Sequence, residues 1–207
     1  MVKQAARAKY DEAQWLSVPV VQQSQKELIT DKSIDNATDP RGWGSKHFQT
    51  LKHAYRQSRH FADYATELQA MLERRWEKLV DLDQATLDFL RDALGIRTPV
   101  VTSTSIKPQS AKSDLILELC KAVGADTYLA GLGGSRAYLD REAFAQEGVT
   151  IAWQDFQHPE YPQCGIAPFI KGLSAVDMLF NCGQEDSRAL FRQRTAEEAM
   201  VPETHAA

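Results

Sequence analysis

Long hydrophobic runs are missing from this 207-residue chain. No apolar stretch approaches the ~18 residues that cross a bilayer as a helix, so no membrane-spanning helix is expected. The opening residues, MVKQAARAKYDEAQWL, have basic side chains with no apolar core behind them, which does not read as a secretory signal. Cysteine is scarce. Cys120, Cys164 and Cys182 are odd in number and far apart, which suits a reducing cytoplasm better than a disulfide scaffold. Positive charge is not in excess: 24 Lys and Arg against 28 Asp and Glu leave a net charge of −4. Neither nucleic acid nor insertion into a membrane is therefore expected of it. Metal-ligand spacing is missing as well. No cysteine pair is spaced CxxC, and His47, His53 and His60 do not repeat at i, i+4. No serine stands in a G-x-S-x-G elbow. Neither a metal nor a cofactor is expected. What remains is 43% apolar and 25% charged residues, the composition of a globular domain rather than a disordered chain.

The patterning changes along the chain. Residues 14–21 (QWLSVPVV) are rich in strand formers, with Pro19 marking an edge or an end. Residues 26–34 read as a second strand, closed by the turn cluster 35–42. From Trp43 the periodicity is helical. Trp43, His47, Leu51, Ala54 and Tyr55 share one face, Phe61, Tyr64, Leu68, Met71 and Leu72 a second, and Leu82, Ala85, Leu87, Leu90 and Leu94 a third. Residues 42–95 are thus expected as a helical layer, with Trp76 and Phe89 in the core. The second half alternates. Strand-like 99–106 precedes a helix capped by Ser113 or Ser110 and stopped by Gly124; then come a strand at 126–130, a short helix at 141–146 and a strand at 149–153. That order predicts βαβ units and an α/β fold with a small, mostly parallel sheet, flanking helices and the helical layer. The expected organisation is one domain over 1–192, with a frayed charged tail at 193–207.

Two loops are dense in groups that carry chemistry. Gly131, Gly133 and Gly134 follow a predicted strand, where backbone amides can approach an anion, and Arg136 just beyond them suits phosphate or carboxylate. The spacing is not that of a dinucleotide or P-loop fingerprint, and a tight turn that needs positive φ is the alternative. The second loop, 155–163, holds Asp155, His158, Tyr161 and Gln163 between two prolines. His158 suits a general acid or base near neutral pH, with Asp155 as its partner. The alternative is that His158 and Tyr161 pin the loop. Ser174 followed by Asp177 reads as a capping box at a helix start, against which a ligand-binding role for Asp177 is weighed. In a parallel sheet both loops leave the same edge, and convergence with the start of the Ser174 helix is expected.

Taken together, the block Asp126-Thr127-Tyr128-Leu129-Ala130-Gly131-x-Gly133-Gly134, Tyr138-Leu139-Asp140, Asp155-Phe156-x-His158-Pro159-x-Tyr161-x-Gln163 and Leu173-Ser174-x-x-Asp177-x-Leu179-Phe180-Asn181-x-Gly183 resembles the WbqC-like protein family. Trp43, Lys46-His47, Ala54-Tyr55 and Gln14-Trp15-Leu16 resemble the middle and early segments of that family. The opening segment usual in the family, with its His-Gln-Pro and Asn-Arg elements, has no counterpart here, so the resemblance implies a member lacking that front. It also implies a small-molecule substrate as the partner, with work in bacterial surface-polysaccharide (O-antigen) synthesis on nucleotide-activated amino sugars and acyl or aminoacyl transfer as the reaction. His158, Asp155 and Tyr161 would be catalytic; Gly131, Gly133, Gly134, Arg136, Gln163 and Asp177 would bind the ligand. A non-catalytic ligand-binding or accessory protein of the same pathway, or an inactive truncated member, is the alternative.

Overall fold

Residues whose apolar side chains recur every three to four positions form three helices: α1 (Trp43–Tyr55), α2 (Phe61–Glu73) and α3 (Leu79–Ala93). The computed structural model describes residues 6–7, 13–21, 27–37, 42–131, 133–165 and 168–199. By its internal contacts the chain divides into two compact units, one made of Met1–Arg97 with His158–Ala207, the other of Thr98–Gln157. The architecture is mixed α/β and mostly helical. No helix among the described residues is long and apolar enough to cross a membrane.

In the first unit, α1, α2 and α3 pack around Phe48, Leu51, Leu68, Leu72, Trp76 and Phe89, all buried. Leu16 and Ile34 join this core from the extended front, while Trp15 stays 47% exposed. That front makes little sheet. A two-residue antiparallel pair joins β1 (Ala6–Arg7) to β2 (Ala13–Gln14), and single bridges link Val20 to Ile34 and Ser33 to Lys78. Residues 15–19 of the expected first strand make no ladder. The second expected strand is a 3-10 turn at Ile29–Asp31 followed by the bridged pair Ser33 and Ile34, and Lys26 lies outside the described residues. β-formers alone did not make strands here because no neighbouring strand offers a continuous ladder.

Two glycines fix how the helices of this unit meet. A Cβ on Gly44 in α1 would stand 1.8 Å from the carbonyl oxygen of Leu72, so α1 passes α2 at a distance only a missing side chain permits. The second is Gly183, at φ 75 and ψ −177, where α8 (Ala175–Ala199) breaks into two helical halves. The His60 ring fills the space its Cβ would need, at 2.9 Å, and the His60 backbone N–H donates to the carbonyl of Phe180 at 2.9 Å. Gly183 ends the first half as expected. The chain then resumes as helix through 193–199, the start of the stretch expected to fray.

The second unit alternates. α4 (Ser103–Ile106) and α5 (Lys112–Ala122) precede β3 (Thr127–Ala130), the short turn α6 (Ser135–Tyr138), α7 (Arg141–Gln146) and β4 (Thr150–Trp153). β3 and β4 pair in parallel, Thr127 against Thr150 and Ala130 against Trp153. Leu117, Cys120, Phe144 and Val149 are its buried core. Asp140 caps α7, accepting from the N–H groups of Glu142 and Ala143. Two local expectations are corrected. Residues 99–106 are not a strand, because Ser105 donates both its N–H and its hydroxyl to the Thr102 carbonyl and the chain closes on itself as α4. Neither Ser110 nor Ser113 caps α5; the Ser113 hydroxyl instead accepts from the Asp140 N–H at 2.8 Å.

Gly44→Ala should destabilise the protein by about 1–3 kcal/mol or more, because the new methyl meets backbone that cannot rotate away. Urea unfolding followed by circular dichroism checks this; an unchanged midpoint would refute the close approach.

Candidate functional site

The first turn of α8 carries a carboxylate that faces inward. Asp177 is 1% exposed, and its Oδ1 accepts from the Tyr55 hydroxyl at 2.8 Å. Its Oδ2 accepts from the Tyr161 hydroxyl at 2.8 Å and from Gln163 Nε2 at 2.9 Å. One turn on, Asn181 Nδ2 donates to the Asp177 carbonyl at 2.7 Å and, at a longer 3.4 Å, to Oδ1. The expected capping box is therefore not formed. The Asp177 N–H meets the Ser174 carbonyl, and the carboxylate is spent on the interior. A buried carboxylate without donors would be costly, and several donors converging on it offset that cost. Burial above all, and then the Asp177 charge and hydrogen bond, push the phenol pKa values of Tyr55 and Tyr161 far above the usual range. Both tyrosines remain donors at any physiological pH.

The loop after His158 is tied to this carboxylate at several points. Gln163 clamps Ile170, donating Nε2 to its carbonyl at 3.0 Å while Oε1 accepts its N–H at 2.8 Å. The Cys164 N–H donates to Asn181 Oδ1 at 2.9 Å. His158, Tyr161 and Phe169 form a ring cluster with centroids 5.3 to 6.0 Å apart. His158 Nδ1 lies 2.9 Å from the Pro159 carbonyl, which only accepts, so the proton of the neutral ring sits on Nδ1 and Nε2 is the basic nitrogen.

Tyr161, Gln163 and Asp177 are thus brought together, with His158 stacked at their margin. Beside them opens a cavity of about 550 Å³, whose walls include Tyr161, Gln163, Cys164, Asn181 and Cys182. That volume is in the range of small-molecule sites, roughly 300–1,000 Å³. Burial, with Asp186 and Asp177 adding negative charge, pushes the Cys182 thiol up to about 11. Among the described residues no group of three His, Cys, Asp or Glu is placed to hold a metal ion.

The remaining expected site residues fall in the second unit. Asp155 is exposed, and its Oδ1 accepts from Gln157 Nε2 at 3.1 Å. The parallel pairing of β3 and β4 sends the glycine loop and residues 154–157 out of the same end of the sheet. Gly131, Gly133 and Gly134 are exposed, none has φ in the left-handed region, and a Cβ on any of them would meet nothing within 4 Å. Neither turn geometry nor crowding within the unit therefore requires glycine at these positions. Leu132 and the side chain of Arg136 lie outside what the structure describes.

Sequence reasoning missed Tyr55, Asn181 and Ser58. Tyr55 sits on an apolar helical face and was read as core, and its hydroxyl meets a partner 122 residues away. Asn181 enters the sequence only as part of the family block, although its i, i+4 spacing from Asp177 is a recognisable helical pair. Nothing in the sequence marks Ser58.

Two outcomes follow from this geometry. Asp177→Asn puts an amide donor among groups that already donate, and should cost about 1–3 kcal/mol of stability; an unaltered thermal melt would contradict the network. In the native protein Cys182 should react slowly with iodoacetamide near pH 8, where about a thousandth of it is thiolate, and faster by about tenfold per pH unit toward 10. Peptide mass spectrometry reads the rate, and fast labelling at neutral pH would contradict the raised pKa.

Comparison with known proteins places this geometry in a family. The uncharacterized protein Rv1507c of Mycobacterium tuberculosis (strain ATCC 25618 / H37Rv) is 28% identical over 174 residues, covering 83% of this chain and 73% of that protein. No solved structure matches significantly. The model of the WbqC-like protein family matches residues 3–189, the whole of the Asp177 network and both loops included, and the chain belongs to that family.

Proposed function

We propose that this protein is a cytoplasmic transferase that moves an acyl or aminoacyl group onto the amine of a nucleotide-activated amino sugar in bacterial surface-polysaccharide synthesis. The observation that carries the reading is the cavity of about 550 Å³ with a polar wall, Tyr161 and Gln163 hydrogen-bonded to one buried carboxylate and Asn181 to the main-chain carbonyl of the same residue. Groups held this way are preorganised, which is what positioning a small substrate requires. In the reaction the sugar amine attacks the acyl carbonyl, the new C–N bond forms, and the donor's leaving group departs with its electron pair. His158 Nε2 takes the proton lost by the amine. Asp155, exposed in the second unit, is a further proposed acidic group. Tyr161 and Gln163 orient the substrate, with Asp177 as the positioning residue behind them. In the second unit Gly131, Gly133, Gly134 and Arg136 are proposed to meet an anion such as phosphate, a role supported by glycines whose Cβ would meet no described atom within 4 Å.

A ligand-binding protein without turnover is the second reading, and one observation favours it: the Tyr161 hydroxyl is already committed to Asp177. Incubation with nucleotide amino sugars and activated acyl donors, followed by mass spectrometry, separates the two. Product should form with the wild-type chain and fall about 10²–10⁴-fold in His158→Ala. A fully active His158→Ala rules out the base. Binding of the sugar nucleotide without any product selects the second reading.

A further inference from the structure

The mouth of the cavity beside Asp177 carries three charged side chains that no described residue pairs with. Arg59, on the turn between α1 and α2, Glu160, in the loop before Tyr161, and Asp186, on the second half of α8, all line it. None of the three makes an ion pair or a side-chain hydrogen bond with another described residue, although they are of opposite sign around one space. A second, independent observation lies deeper. Ser58 also lines the cavity; it is 9% exposed, and its hydroxyl is buried without a hydrogen-bond partner. Buried polar atoms in native proteins are nearly always satisfied, so an orphan at a cavity wall points to a group supplied from outside.

From this we infer that the cavity binds a free α-amino acid as a zwitterion, its carboxylate on Arg59 and its ammonium on Glu160 and Asp186. A phosphate or simple carboxylate would face two like charges with one counter-charge, and a simple amine would leave Arg59 unanswered. A guanidinium matches a carboxylate with two parallel hydrogen bonds. The volume leaves space for a side chain, and Pro162, Ala189 and Leu190 offer it an apolar wall. The place of this ligand in catalysis rests on the transferase reading, where it selects the aminoacyl over the plain acyl branch. Its binding does not.

The test is isothermal titration of the full chain with glycine, alanine, serine, leucine, aspartate and lysine, beside ethylamine, propionate and glucosamine as probes of each charge alone. At least one amino acid should bind with a Kd of about 1 mM or tighter while the single-charge probes do not. Arg59→Gln and the double variant Glu160→Gln with Asp186→Asn should each weaken binding by about tenfold or more, with unliganded melting temperatures unchanged because these side chains are exposed and unpaired. Ser58→Ala should melt no lower than wild type, since it loses an unsatisfied hydroxyl, yet bind more weakly. A merely structural serine would not separate those two readouts. Absence of binding by every amino acid, equal binding by the charge variants, or binding of glucosamine or ethylamine in place of amino acids overturns the inference. Amino-acid binding without transfer to any sugar nucleotide would uphold it and reject the transferase.

Discussion

The buried carboxylate of Asp177 is the constraint on which the architecture of the larger unit turns. It collects a tyrosine from α1, a tyrosine and a glutamine from the 158–165 loop and an asparagine from its own helix. These elements come from separate parts of the unit, and Cys164 ties the same loop to Asn181 and to the Ala54 carbonyl as well. A charge in the interior is tolerated only where donors surround it, so the folded chain must bring all of them at once or bear the desolvation cost. This makes the network a selector of one arrangement more than a source of net stability, because neutral donors removed from water gain little by meeting a carboxylate already solvated in the unfolded chain.

Glycines in the two units do opposite things. Gly44 and Gly183 are places where a neighbour already occupies the position of the missing side chain, a carbonyl in one case and an imidazole in the other. Their role ends inside the protein. At Gly131, Gly133 and Gly134 the space is empty and the backbone is in ordinary regions, so folding leaves these positions unexplained.

Legibility in the sequence tracked the range of the interactions. α1, α2, α3 and α7 were readable because helical periodicity is a local property, and the parallel pairing of β3 with β4 followed from the strand–helix–strand order. The front of the chain was not readable as it stands. Its β-formers are real, but a strand needs a partner, and Leu16 and Ile34 are held by the helical core rather than by a ladder. The hydroxyl-rich residues 102–105 closed bonds locally that a strand would have made to a neighbour. Asp177 shows the limit most clearly. Ser174 and Asp177 match a capping box in every local respect, yet donors on Tyr55, Tyr161 and Gln163 compete for the same oxygens and prevail.

The chemistry of the cavity follows from how thoroughly its groups are quenched. Tyr55 and Tyr161 are fixed as donors, the Cys182 thiol is neutral at physiological pH, and the Gln163 amide is committed at both ends. None of these is a nucleophile or a proton acceptor poised near neutrality. A wall of this kind orients a ligand without reacting with it, so any bond-making there must draw its driving force from an activated substrate. His158 stands beside this wall rather than in it, its ring packed against Tyr161 and Phe169 and its Nδ1 at the Pro159 carbonyl.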